Sequence, residues 1–286
     1  MSLITLTTDF GTKDHFVGAV KGAIYSELSD AKIVDITHEI SPFNITETAY
    51  ILKNSYKSFP DGTIHIVGVD SELSSDNKHI ALELDKHFFV CPDNGLISMI
   101  ASEIKPTRIV EINIHDRIES SFPVLDVFVQ VACFIARGGN LTVIGKEIQE
   151  FKKLIEIQPQ VNQAQNQIIG GVLYIDNYGN VITNISQKMF QDIGKGRRFK
   201  ASARRYSFSK IFTKYNEVAG DSAHDSIQYD GSKLAIFNSA GFLEIAIYRS
   251  NLGTVGGAST LLGLNYRDAV TIEFYNDSKP DFTPLT

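Results

Sequence analysis

The amino-acid sequence predicts an α/β first domain with a largely parallel sheet between helices, followed by a smaller antiparallel β domain of barrel-like character. Three observations predict it. Short β-branched runs alternate with helical patterns in the first half, an amide-rich stretch follows near residue 160, and the remainder is a succession of short strands. Two domains also suit 286 residues, because a domain usually holds about 100–200. The expected domains are 1–157 and 168–286.

The run LITLTT reads as the first strand, Phe16 to Leu28 as a helix and KIVDIT as the next strand. From Thr46 to Phe59, Ala49, Leu52, Tyr56 and Phe59 recur every three or four residues, as one buried helix face requires. TIHIVGV, HIALEL and HFFVC supply further strands, and a helix over Asp126 to Arg137 should stop at Gly138-Gly139, where glycine takes the left-handed conformation. Gln158 to Gln167, QPQVNQAQNQ, is polar and free of aromatics, which marks a connection. Beyond it GGVLYI, NVITNI, FKASA, YSFSK, KLAIFN, FLEIAIY and AVTIEFY read as strands of an antiparallel sheet.

A net charge of -6 argues against a nucleic-acid partner, because phosphate binding rests on excess Lys and Arg. The basic cluster Lys195, Arg197, Arg198, Lys200, Arg204 and Arg205 reads as a solvated strand or loop face. Cys91 and Cys133 lie in apolar surroundings without metal-ligand spacing, so they read as buried thiols and no metal site is expected. MSLITLTTDF lacks a basic stretch followed by a long apolar run, and no apolar segment approaches about 18 residues, so no membrane association and a cytoplasmic location are expected. The glycine fingerprints of dinucleotide and nucleoside triphosphate sites and the serine-hydrolase elbow are missing.

Polar clusters stand at the ends of several strands. Asp9 follows the first, where open α/β sheets bind ligands and a carboxylate can accept two hydroxyl hydrogen bonds; capping a helix near Asp14 is the competing role. Asp70 follows TIHIVGV, Pro92-Asp93-Asn94-Gly95 follows HFFVC, and Asp176-Asn177-Tyr178-Gly179-Asn180 follows GGVLYI; each is also ordinary turn chemistry. Their combination points to a ligand site.

TTDFG, VDITHEISPFNI, PDNGLIS, IDNYGNVITNI and NSAGFLEIA, in that order, resemble signature segments of the S-adenosyl-L-methionine (SAM) hydroxide adenosyltransferase family, relatives of the SAM-dependent chlorinases and fluorinases. The resemblance implies attack of water or halide on the 5′ carbon of SAM. It implies no cofactor, and a homotrimer whose ligand lies between the N-terminal domain of one subunit and the C-terminal domain of its neighbour. It gives Asp9 the ribose hydroxyls, Phe43 an aromatic wall, Asp176 the methionine amino group, and Tyr178 and Asn180 the adenosine part. Asn238 and Ser239 match a pair whose serine meets the methionine carboxylate, and Tyr215 matches an aromatic of the adenine slot, in a register blurred by an insertion around Asp221 to Asp230. Glu244 and Asn251 also fall in family-like segments, where satisfying turn and barrel is the competing role.

The water-activating trio departs from the family. Asp70 matches its aspartate, in VGVD where the family reads Val-Val-Asp followed by a Pro-Gly turn, here replaced by Ser71-Glu72. Asn77 stands in the arginine position, and Phe-His-Gly-Arg-Asp becomes Phe122-Pro123-Val124-Leu125-Asp126, so Pro123 replaces the histidine. Val124 offers an anion no donor, which disfavours a halide site. Hydrolysis of SAM is the expected activity, with Lys78 or His79 as candidate replacements around the water. A binding protein without turnover, and transfer to another nucleophile, remain as alternatives. His38 and His65 are expected to be structural, and His87, His115 and His224 show no paired spacing with acids or cysteines.

Overall fold

Six residues of alternating β-branched and apolar character form β1 (Leu3–Thr8), which lies one strand in from the edge of a seven-stranded sheet. The computed structural model describes residues 2–101, 104–114, 120–154, 157–220 and 229–275. The chain divides into two units, Met1–Glu156 and Ile157–Thr286. His115 and His224 lie outside the described residues, as does most of the insertion beginning at Asp221.

In the first unit β1 is joined by β2 (Lys32–Thr37), β3 (Ile64–Gly68), β4 (His79–Leu84), β5 (His87–Pro92), β6 (Arg108–Ile112) and β7 (Gly145–Glu147), in the order β2-β1-β3-β5-β4-β6-β7. Strands β2, β1, β3 and β5 run parallel to their neighbours, whereas the hairpin β4-β5 reverses direction and β6 and β7 continue antiparallel pairing. Alternation of side chains divides the core between the two faces. Ile64, Ile66, Ala81 and Val90 pack with helices α1 (Phe16–Glu27) and, later in the chain, Val129–Ala136. Val67, Ile80, Leu82, Phe89 and Cys91 pack on the opposite face with α2 (Ile45–Lys53) and α3 (Leu96–Ile100). The predicted sheet between helices is therefore present.

The helix expected over Thr46 to Phe59 is shorter. Asn44 caps α2 through Glu47 N–H at 3.1 Å, and a separate 3₁₀ turn at Tyr56–Ser58 carries Tyr56 into the same core. The later helix begins as a π turn, Val124–Phe128, behind Pro123, before α4 (Val129–Ala136). Gly68 matters here because of close approach: a Cβ on it would lie 2.7 Å from Val124 Cγ2. Cys91 and Cys133 are buried. Burial pushes the Cys91 thiol well above its ordinary range and that of Cys133 to about 11, as inert core thiols require.

The described strands of the second unit pair antiparallel: β8 (Gln160–Val161), β9 (Gln167–Ile175), β10 (Val181–Ser186), β11 (Arg198–Ala203), β12 (Tyr206–Phe208), β13 (Lys233–Phe237), β14 (Phe242–Ile247) and β15 (Ala269–Tyr275). The main path is β12-β11-β15-β9-β10-β14-β13. Apolar residues from β9, β10, β11, β14 and β15 close its core, with α5 (Gln187–Gly194) and α6 (Ala258–Leu262) between strands. The amide-rich stretch read as a connection instead contributes β8, because Asn162 Oδ1 accepts the N–H groups of Asn166 and Gln167 and folds a hairpin onto β9. In the basic cluster, Arg197 donates to the carbonyls of Gln165 and Ile193, and Arg204 pairs with Asp268 at 3.0 Å.

Candidate functional site

Parallel β1 and β3 end in register at Thr8 and Gly68, so Asp9 and Asp70 leave the same edge of the first sheet. Asp9 does not cap α1. That helix starts at Phe16 behind His15 without a side-chain cap, and Asp9 Oδ2 accepts the N–H of Phe43 at 3.0 Å. Phe43 takes φ 62° and is 71% exposed. Such a backbone is uncommon for a bulky side chain and presents an aromatic face to solvent beside a carboxylate. Asp70 also has positive φ, 49°. Among the described residues its carboxylate makes no hydrogen bond or ion pair.

The residues around Asp70 form a brace. Asn77 Nδ2 donates to the carbonyls of Asp70 at 2.8 Å and Glu72 at 3.0 Å. Since carbonyls only accept, the amide orientation is fixed, leaving Asn77 Oδ1 buried and without a hydrogen-bond partner among the described residues. His79 is 1% exposed, its Nε2 lies 2.9 Å from Ser71 O, and its ring meets Phe128 edge-on at 4.7 Å. Lys78, one residue earlier, is exposed. Lys78 and His79 line a cavity of about 400 Å³ with Glu111, Asn113 and Lys146, and Asp70 is not part of that wall. Pro123 heads the π turn instead of offering an imidazole, and Val124 is fully buried.

The second unit brings four sequence-predicted residues together. Asp176, Tyr178, Asn180 and Tyr215 line a cavity of about 410 Å³, completed by Ile247 to Ser250. The loop after β9 folds around Asp176: Oδ1 accepts from Tyr178 N at 2.9 Å and Asn180 N at 2.8 Å, while Oδ2 accepts from Asn180 Nδ2 at 3.1 Å. Asn180 is 5% exposed, and its Oδ1 has no partner among the described residues. A buried amide oxygen left unpaired in a cavity wall is a site for a donor. Tyr178 is 62% exposed beside it, held against α6 by the hydrogen bond from Ser259 N to Gly179 O.

Tyr215 donates to Glu244 Oε1 at 2.7 Å. Asn238 also bonds to Glu244, and its Oδ1 accepts from Ala240 N and Phe242 N to make the β13-β14 turn on which Ser239 stands exposed. Asn251 likewise builds a turn, accepting from Gly253 N. The role of Glu244 is underweighted by sequence reasoning, although an acid inside the apolar run FLEIAIY is a visible signal. It is 3% exposed. Burial raises its carboxyl above the ordinary 4.5, the Tyr215 hydroxyl draws it back, the charge of Asp176 raises it, and the Asn238 bond lowers it. An acid raised on folding binds more protons in the native state, so its ionised form costs stability above the raised value and nothing below 4.5. Glu244→Gln, which keeps an acceptor for Tyr215, should therefore melt higher than the native chain at pH 8, with the gap closing as pH falls through the carboxylate range. Thermal unfolding across that range checks it.

Among the described residues, His38 and His65 make structural contacts. His38 Nδ1 lies 2.7 Å from Thr8 Oγ1. His65 is buried between Thr5 and His87, and burial, aided by the charge of His87, pushes it down to about 3. Among the described residues, no group of three or more His, Cys, Asp or Glu side chains is placed to hold a metal ion. No described helix is long and apolar enough to cross a membrane.

The chain is 33% identical to the (R)-S-adenosyl-L-methionine hydrolase of Methanocaldococcus jannaschii, over 95% of this chain and 96% of that one. It is 22% identical to a fluorinase of Actinopolyspora mzabensis, over 68% and 75%. An uncharacterized conserved protein from Thermotoga maritima has a similar fold, with TM-score 0.78 and 30% identity over 94% of this chain and 99% of that one. Residues 4–145 match the SAM hydroxide adenosyltransferase N-terminal domain and residues 170–271 the C-terminal domain. The chain belongs to the SAM hydroxide adenosyltransferase family.

Proposed function

We propose that this protein hydrolyses SAM to adenosine and L-methionine by attack of water at the 5′ carbon. The observation that carries the reading is the second-unit cavity, where an unpaired buried amide oxygen lies among aromatic and acidic side chains. A purine amino group supplies the missing donor, Tyr178 and Tyr215 offer faces for stacking, and the acids Asp176 and Glu244 suit a ligand carrying a sulfonium and an ammonium. Relatives named (R)-S-adenosyl-L-methionine hydrolase support it.

Asp9, with lone pairs remaining after the Phe43 bond, accepts the ribose hydroxyls, and the exposed Phe43 ring covers the ligand. Asp176 retains an acceptor site on Oδ2 for the methionine amino group, and Ser239 faces the methionine carboxylate from the turn built by Asn238. Asp70 orients the water. The new oxygen–carbon bond forms as the carbon–sulfur bond breaks, its electron pair neutralises the sulfonium to a thioether, and the water releases one proton. Because the leaving group needs no acid, rate depends on holding water in line and excluding bulk solvent. Asn77 and His79 serve that step by fixing the 70–72 turn. We further propose a cytoplasmic homotrimer in which each ligand is shared by neighbouring subunits.

One observation favours a second reading, a SAM-binding homologue without turnover: the side chain in the arginine position is bound to backbone carbonyls, and proline occupies the histidine position. Incubation of the purified protein with SAM, followed by chromatography, distinguishes the two. Matched amounts of adenosine and methionine are expected; saturable binding with SAM unchanged would overturn hydrolysis.

A further inference from the structure

The loop after β9 fixes more than its own backbone. An asparagine amide presents either its oxygen or its nitrogen, and only its hydrogen-bond partners decide which. Asp176 Oδ1 is committed to two backbone donors, Tyr178 N and Asn180 N, and Asp176 Oδ2 lies 3.1 Å from the side-chain amide of Asn180. A carboxylate oxygen only accepts, so the Asn180 atom facing it must be the nitrogen. The oxygen is then the amide atom left over, buried and without a partner among the described residues, on a side chain that lines the cavity.

We propose that Asp176 is the positioning residue that fixes the Asn180 amide with its oxygen toward the ligand, so that the second unit selects a 6-amino purine over a 6-oxo purine. This rests on the adenosine reading of the cavity and adds to it the device that sets base selectivity. The 6-amino group of adenine donates to Asn180 Oδ1. The 6-oxo group of hypoxanthine opposes a second acceptor to it, leaving two buried oxygens unpaired, which lowers affinity by about 10-fold or more.

The arrangement predicts an inversion rather than a simple loss. In Asp176→Asn the oxygen must stay with the two backbone N–H groups, so the new NH₂ replaces Oδ2 and faces Asn180. Two NH₂ groups repel, and the Asn180 amide turns over, offering its oxygen to position 176 and its nitrogen to the ligand. The cavity then prefers a 6-oxo base.

Calorimetric titration with adenosine and with inosine tests this, because neither nucleoside carries the methionine portion that Asp176 is also proposed to meet. The native chain should bind adenosine at least about 10-fold more tightly than inosine, and Asp176→Asn should reverse the order. A variant that weakens both nucleosides while keeping their ratio would overturn the positioning role, as would a native chain that binds both equally. If Asp176→Asn does not fold, Asn180→Ser answers instead: a hydroxyl rotates to donate or accept, so the ratio should collapse toward one, and retained discrimination would overturn the proposal. A native chain that binds neither nucleoside removes the adenosine reading itself, and the selectivity with it.

Discussion

Asp70→Asn should lower the turnover of SAM by about 10²–10⁴-fold, with adenosine affinity nearly unchanged. The substitution suits the site because asparagine tolerates the left-handed backbone, φ 49°, that Asp70 occupies, and because Asn77 grips the residue 70 carbonyl rather than its side chain. The brace from Asn77 and His79 therefore stays in place. What changes is the carboxylate, an acceptor on both oxygens, which becomes half donor and no longer orients water through its protons. A fall in kcat with KM steady is the signature of a group acting in the transition state. Full activity in the variant would move the water to another residue, with Lys78 the next to substitute.

Gly257→Ala should cost about 1–3 kcal/mol of stability and weaken nucleoside binding by at least about 10-fold, through backbone displacement rather than lost contacts. Its backbone, φ -113° and ψ -174°, is open to any residue. The constraint is proximity: an added Cβ would lie 2.5 Å from Tyr178 O and 2.7 Å from Gly179 Cα, backbone atoms with no flexible end to yield. The loop that must give way carries Tyr178 and leads into Asn180. Gly171→Ala is the control, since its Cβ would meet nothing closer than 3.7 Å and the substitution should leave both properties near native. Chemical denaturation and calorimetry with adenosine read the two effects separately.

The strand and helix patterns were legible because each has a period that burial enforces, as in Ile64 and Ile66 on one face of β3 and Val67 on the other. Asp176, Tyr178, Asn180 and Tyr215 meet in one cavity even though an insertion separates Tyr215 from Asn238, and the Tyr215 hydroxyl reaches Glu244 on β14 at 2.7 Å. Hydrogen-bond direction was not legible. Nothing in DITHEISPFNI announces that Phe43 would turn to positive φ and give its N–H to Asp9, nor in SSDNKH that Asn77 would reach back to the carbonyls of residues 70 and 72. The hairpin at β8 was missed because amide side chains that look like linker also fold turns by bonding their own backbone.

Gly68 and Val124 share one volume: Val124 fills the space that a side chain on residue 68 would need. Each substitution alone is penalised: Gly68→Val drives methyl groups into Val124, and Val124→Gly opens a void in a fully buried wall. A change at either position thus asks for a compensating change on an element far away in the chain, so the end of β3 and the start of the π turn are free to vary only as a pair.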